Sequence, residues 1–341
     1  MIIIRTKSKT ILSSLFSLIL VISINYTSYA QSKLDNYSSH AFHKIKQSQK
    51  NNGEWLTLYN FDTIPTKFRE DKNPWLNFII IDLLKPISSE YNFETIIPKS
   101  QKYISYSFNK SNGLLKFHND SRVPEDSDDT ALFWISHPDA DTNLIPLAIS
   151  TIKDFKSKNG LYHIWLDTNG IIKHPQVGRN PSPTDILSNI HVLLLFKQYA
   201  PKLVSDLCAS LKRNINQVEY WTYNERSPWL YYIRELDLVK NGCLLNTNIP
   251  REIKNLNSQE TYTKMSKLIR DLALKHGGEK TRNKAQKILL EVANNDFEYI
   301  KITPLLMYHN DLTAKNPAYF WSYDIPYALW LRLYYEYSKT N

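Results

Sequence analysis

A tight reversal built on glycine and followed closely by an aromatic residue recurs along this chain, and it limits the fold more than any other feature. It appears as Gly53-Glu54-Trp55, as Gly113 with Phe117, and as Gly160-Leu161-Tyr162 with Trp165. After each come a loop, a Pro or Asp signal and a helical stretch: Asn73-Pro74-Trp75, Pro124 to Thr130, and Pro183-Thr184-Asp185. Trp221 with Ser227-Pro228-Trp229, and Phe320-Trp321 with Ile325-Pro326-Tyr327, continue the series. A period of about 45 to 60 residues built from turns and helices points to stacked helix pairs, each hiding one face only when the next pair covers it. The glycine permits the reversal, and the aromatic ring can fasten one pair to the next.

Between the turns, apolar residues repeat at helical spacing. Trp75, Phe78, Ile79 and Leu83 do so, as do Ile186, Ile190, Leu193 and Leu194, then Leu230, Ile233 and Leu236, then Met265, Leu268, Ile269 and Leu272. Turns such as Asn51-Asn52-Gly53 and Arg179-Asn180-Pro181-Ser182-Pro183 separate these runs. The expected class is all-α, with about a dozen helices in one domain over residues 31–341.

The first 30 residues read differently. Arg5, Lys7 and Lys9 precede an apolar run, Ile11 to Ile24, and Thr27-Ser28-Tyr29-Ala30 offers small residues before Gln31. That layout is a secretory signal peptide over residues 1–30, which predicts a secreted or periplasmic protein. The apolar run of ~14 residues falls short of the roughly 20 that a spanning helix needs. Cleavage takes the formal charge from +9 to +6. The lysines are scattered, so no nucleic-acid stripe is expected. Peripheral contact with an anionic membrane surface stays open, with simple solubility as the plainer account of the charge. Cys208 and Cys243 are the two cysteines. Export permits a disulfide, and a pair of buried free thiols fits the sequence as well.

Two stretches carry a resemblance to a known family. Gln49-Lys50-Asn51-Asn52-Gly53-Glu54-Trp55 matches the Gln-x-x-x-Gly-x-Trp repeat of the squalene-hopene and oxidosqualene cyclase group. Pro124-Glu125-Asp126-Ser127-Asp128-Asp129-Thr130-Ala131 contains Asp-x-Asp-Asp-Thr-Ala, which resembles the acid motif of class II terpene cyclases, diterpene cyclases among them. The resemblance implies a terpene-cyclase and prenyltransferase-like α/α toroid of about six helix pairs, with the inner helices starting at one end. It implies that Asp128 carries the proton that starts cyclisation, while Asp126 and Asp129 orient it and hold counter-charge. The substrate it implies is an isoprenoid or another lipid.

The chemistry suits the residues. An alkene is a very weak base, so its acid must be both protonated and well placed. Two neighbouring carboxylates and burial each raise the pKa of a third carboxyl group, and the three titrate as a set. A carbocation then needs a dry pocket with π faces, for which Trp134, Trp165, Trp229 and Trp321 are candidates, with Tyr162 and Tyr323. The same acids also fit a plainer role, since Asp126 or Ser127 is a good N-cap and acids favour the first helical turn.

Asp185 and Asn189 lie one helical turn apart and could line the same mouth, or serve as a cap and a solvated side chain. His163, His174 and His191 show no metal spacing, and no Asp-Asp-x-x-Asp motif or glycine-rich phosphate loop stands out, so no metal or cofactor is expected. Glu225-Arg226 and Arg234-Glu235 read as surface pairs. Two other functions compete with the acid catalyst: a non-enzymatic toroid that binds a lipid or a partner protein, and a carbohydrate-active toroid using Asp128 with a second carboxylate such as Asp185.

Overall fold

The computed structural model describes residues 29–61, 67–117, 123–137, 141–167, 182, 184–215, 228–243, 260–301, 305–308 and 318–339. Helix α1 spans 29–48. There follow β1 (Thr57–Asn60), β2 (Arg69–Asp71), α2 (Trp75–Leu84), α3 (Ser88–Tyr91), α4 (Ile96–Ile104), β3 (Phe108–Asn109), β4 (Leu114–Leu115), β5 (Glu125–Asp126), α5 (Ser127–Ser136) and α6 (Ile145–Asp154). The second half holds β6 (Trp165–Leu166), α7 (Ile186–Tyr199), α8 (Val204–Asn214), α9 (Pro228–Lys240), α10 (Glu260–Ala273), α11 (Gly278–Asn294), α12 (Glu298–Lys301), β7 (Leu306–Tyr308), β8 (Ala318–Trp321) and α13 (Ile325–Ser338).

The protein is mostly helical, and all four apolar runs lie in helices, α2, α7, α9 and α10. The all-α expectation needs correction, because two small antiparallel sheets are present, ordered β2-β1-β8-β7 and β3-β4-β5-β6. Their strands are two to four residues long and border the turns, where the chain runs extended before entering a helix. The pairing of Leu58 with Trp321 and Tyr59 with Phe320 joins the first strand to the last part of the chain.

The helices fall into two kinds. Every residue of α2 except Asp82 is buried, and α5 is buried except at Ile135. A helix buried on all sides lies inside a helical assembly. By contrast α4 and α8 bury one face only. Six helices touch in a cycle, the one-faced α10 among them: α2 touches α5, α5 touches α7, α7 touches α9, α9 touches α10, α10 touches α13, and α13 touches α2. On the outside, α4 packs on α2, α6 on α5, α8 on α7, and α11 on α10 and α13. Helix α1 is tied to α13 by the bond from Gln31 Nε2 to the Tyr334 hydroxyl, at 3.0 Å.

The turns share one construction in their first three copies. Asn52, Asn112 and Asn159 accept the N–H two residues on, at 3.1, 3.1 and 3.0 Å, and so stiffen each reversal. The glycine inside each turn has positive φ, at 95°, 74° and 87°. The backbone two residues beyond that glycine is then gripped by a polar side chain of the buried helix that follows. Asn77 bonds the N–H and C=O of Trp55 at 2.8 and 3.0 Å, and Asn189 bonds those of Tyr162 at 2.7 and 2.9 Å. Thr130 accepts the N–H of Leu115 at 2.9 Å. Each gripping residue lies four positions after a polar residue that accepts a backbone N–H of its helix's first turn: Asn73, Asp126 and Asp185. In the first and third copies the gripped residue is the aromatic one, Trp55 or Tyr162, whereas in the second it is Leu115. Trp55 adds a ring N–H bond to Ile45 of α1 at 3.0 Å. Gln49 bonds the carbonyls of Gly53 and Ile96, which joins this turn to α4. In the fourth copy Trp221 and Ser227 lie outside the described residues, and the fifth runs through β8 into α13.

Residues 1–28 of the expected signal peptide lie outside the described residues, while Tyr29 and Ala30 form the first part of α1 and Ala30 is buried. No helix among the described residues is long and apolar enough to cross a membrane. Cys208 and Cys243 form a disulfide with a Cα–Cα distance of 5.8 Å, so the free-thiol alternative falls. The bond ties α8 to the residues that follow α9.

Candidate acid site at the start of α5

Strand β5 runs straight into α5, and its pairing with β4 and β6 fixes where the helix begins. Ser127 is pinned from both ends, its N–H to Ile164 O at 2.8 Å and its hydroxyl to His163 O at 3.0 Å. Asp126 is the N-cap, and its carboxyl accepts the N–H of Asp129 at 2.6 Å. The capping account of the motif is therefore correct, and the helix it caps starts at Ser127.

Capping brings the motif's carboxyls together in a dry place. Asp126, Asp128 and Asp129 are all buried. Burial first, and then the Asp128 charge, raise the pKa of Asp126 to about 7, against the N–H bonds from Asp129 and Phe117. Burial, then Asp126 and Asp128, hold Asp129 well above the usual carboxylate range. Asp126 Oδ2 and Asp129 Oδ1 are buried with no hydrogen-bond donor among the described residues. An ionised oxygen in that position is costly, so the neutral acid is favoured. Near pH 7 this pair retains proton.

Asp128 faces a different partner. Its Oδ1 lies 2.5 Å from Nδ1 of His191, on the second turn of α7. The other imidazole nitrogen, Nε2, accepts from Nε of Arg234 on α9 at 2.7 Å. Arg234 Nη1 then reaches Asp82 of α2 at 2.7 Å and Asp237 of α9 at 3.2 Å. Burial lowers the His191 pKa, and Arg234 adds to this against the Asp128 and Asp82 charges. Burial raises Asp237, and Asp82 raises it further, against Arg234. Four helices of the cycle thus supply one polar chain, Asp128–His191–Arg234–Asp82.

His191 and Arg234 were not legible as site residues from spacing. His191 has no metal-like neighbour, and the surface-pair reading of Arg234-Glu235 is overturned: Arg234 is 2% exposed, and Glu235 pairs with Arg270 instead. The available signal was a lone polar or charged residue inside an apolar helical run, which Asp82 and His191 are, whereas Arg234 is followed by Glu235 and Asp237 and gave no such signal. Glu225-Arg226 and His174 lie outside the described residues.

The remaining candidates lie elsewhere in the fold, in the following contacts. Asp185 caps α7 by accepting the N–H groups of Leu187 and Ser188 at 2.8 and 3.0 Å, and Asn189 holds the backbone of Tyr162. Trp134 and Trp229 are buried with ring N–H bonds to Gly113 O at 2.9 Å and Leu305 O at 3.0 Å, which makes them fasteners. Trp165 packs with Val123 and Ile164 in a small cluster beside the motif. Trp321 in β8 packs edge-to-face on Phe68, centroids 5.0 Å apart, and Tyr323 is exposed. No group of His, Cys, Asp and Glu among the described residues has a metal-binding arrangement.

No family model matches the chain, and no curated protein matches it. A solved structure titled "Crystal structure of a protein from Actinoplanes" superposes with a TM-score of 0.51 at 9% identity, covering 88% of this chain and 99% of that one. At that identity the likeness concerns the fold alone.

Proposed function

We propose that this chain is an exported α/α toroid whose Asp-x-Asp-Asp motif protonates an isoprenoid or similar apolar substrate. The cyclic contact order from α2 to α13, with helices on its outside, supports the toroid. The disulfide suits an oxidising compartment and so supports export. One observation carries the chemistry: Asp126 and Asp129 are buried directly beside Asp128, each with a carboxyl oxygen that has no donor among the described residues, and burial favours their neutral acids. In the reaction the carboxyl O–H breaks, a C–H bond forms at the alkene, and the substrate cation later loses a proton or takes up water.

The test uses the purified mature chain with a panel of linear isoprenoids, and mass spectrometry of the extracted lipids. Wild type is expected to yield cyclised or hydrated isomers. Asp128→Asn should lose them by about 100-fold or more, the scale of a removed general acid, with unchanged far-UV circular dichroism. A wild-type chain that converts none of the panel overturns the proposal.

A second reading has its own observation. Asp82 and Arg234 stand on helices three places apart in the cycle of six, so their ion pair spans the middle of the assembly. A centre occupied in this way suits a toroid that binds a lipid or partner without turning it over. Equal isoprenoid binding by wild type and Asp128→Asn, with no product from either, would select it.

A further inference from the structure

The strongest departure from a simple acid motif is the group behind it. A guanidinium donates hydrogen bonds and accepts none, and it stays protonated in proteins. Arg234 Nε lies 2.7 Å from His191 Nε2, so that nitrogen is the acceptor and carries no proton. The single imidazole proton is then on Nδ1, 2.5 Å from Asp128 Oδ1. Arg234 is itself fixed by Asp82 and Asp237, and it is almost fully buried.

We propose that Arg234 is a positioning residue that locks His191 as the neutral Nδ1–H tautomer, so that His191 serves the motif as a fixed donor to Asp128 and never as its base. This rests on the acid-site reading and names the regulation of that same site. One consequence follows from the bond directions. No proton reaches Asp128 through His191, because the far side of the ring meets a cation that does not release one. The groups facing His191 are Asp128 of α5, Arg234 of α9 and Asp82 of α2. Removing the cation leaves two negative neighbours and frees Nε2, so His191 should then take up a second proton.

The experiment is two-bond 1H–15N correlation NMR of the 15N-histidine-labelled mature chain, with His191 assigned by the loss of its signals in His191→Gln. Wild type should show a protonated Nδ1 and a bare Nε2, unchanged between about pH 5 and 8, where an ordinary histidine titrates. Arg234→Lys keeps a cationic donor and should keep the pattern. Arg234→Met should let His191 titrate within that range. A wild-type His191 that is protonated at Nε2, alone or doubly, overturns the proposal even if Arg234→Met does not fold. So does an Arg234→Met protein whose His191 behaves as in wild type. The readout needs no substrate, so failure of the isoprenoid assay with a locked Nδ1–H tautomer removes the function and leaves the role of Arg234 standing.

Discussion

Asp324 shows how far burial alone moves a carboxyl in this fold. It opens α13, is 3% exposed, accepts the Ser48 hydroxyl, and has its pKa raised by burial to about 7. In the unfolded chain an aspartate titrates near 3.9. Between those values the folded state holds a proton that the unfolded state has released, so this group's contribution is complete below about pH 4 and is lost as pH rises toward 7. Asp324→Asn keeps an oxygen that can accept from Ser48 and removes the titration. Its stability relative to wild type should therefore increase with pH, by up to about 4 kcal/mol from acid to pH 8. Urea midpoints of both proteins at pH 4.5 and pH 8 would measure this, and a difference that does not vary with pH would refute it. The contrast with the motif is instructive. Asp324 stands alone, whereas the Asp128 charge adds to the desolvation of Asp126, and the charges of Asp126 and Asp128 add to that of Asp129. The motif's acids could be found in sequence because they are contiguous. His191 and Arg234 could not be paired that way, since 63 and 43 positions separate the bonded residues and only the packing of α5, α7 and α9 brings them together.

At the scale of elements, the turns carry the repeat and set its tolerances. An added Cβ at Gly53 would stand 2.0 Å from the carbonyl oxygen of Lys99 on α4, in a backbone with φ 95°. Backbone cannot step aside without moving the helix. At Gly160 the closest atom is the Ser210 hydroxyl oxygen, 2.4 Å away, and a side chain can rotate. Gly160→Ala should cost about 1–2 kcal/mol for the positive φ, and Gly53→Ala more, about 3 kcal/mol or above, as at other sites of strain and overpacking. Thermal unfolding of the two variants decides it, and equal losses would mean that the α4 contact has no rigidity. The repeat itself was visible in sequence because a glycine, an aromatic residue, a Pro or Asp signal and a helical stretch recur in that order. The strands were not. A pair such as Leu114–Leu115 is too short to show alternation, and its pairing depends on a partner, Asp126, whose extended backbone is set by the cap it forms. The grip of Asn77, Thr130 and Asn189 was likewise hidden, because a polar residue in a helical run looks like any other until the turn beside it is in place.

For the whole molecule, the decisive question is what keeps the cycle of helices shut. Its two chain ends meet directly, through the pairing of β1 with β8 and the contact of α13 with α2. Elsewhere the cycle is held by packing, and one side gains a covalent tie. Cys208 lies on α8, which packs on α7, and Cys243 follows α9, which packs on α7 from another direction. The disulfide therefore braces the helix that carries His191 between two neighbours, one of which carries Arg234. It closes a loop with a sequence separation of 35 residues. The chain-entropy argument gives such a closure about 4 kcal/mol of stabilisation, through the states it denies to the unfolded chain. Replacing both cysteines with alanine should lower the urea midpoint by a corresponding amount, and reductant should do the same to wild type while leaving the double variant unchanged. If reductant shifts the two proteins equally, or neither, the bond between α8 and the end of α9 is not what steadies this side of the cycle.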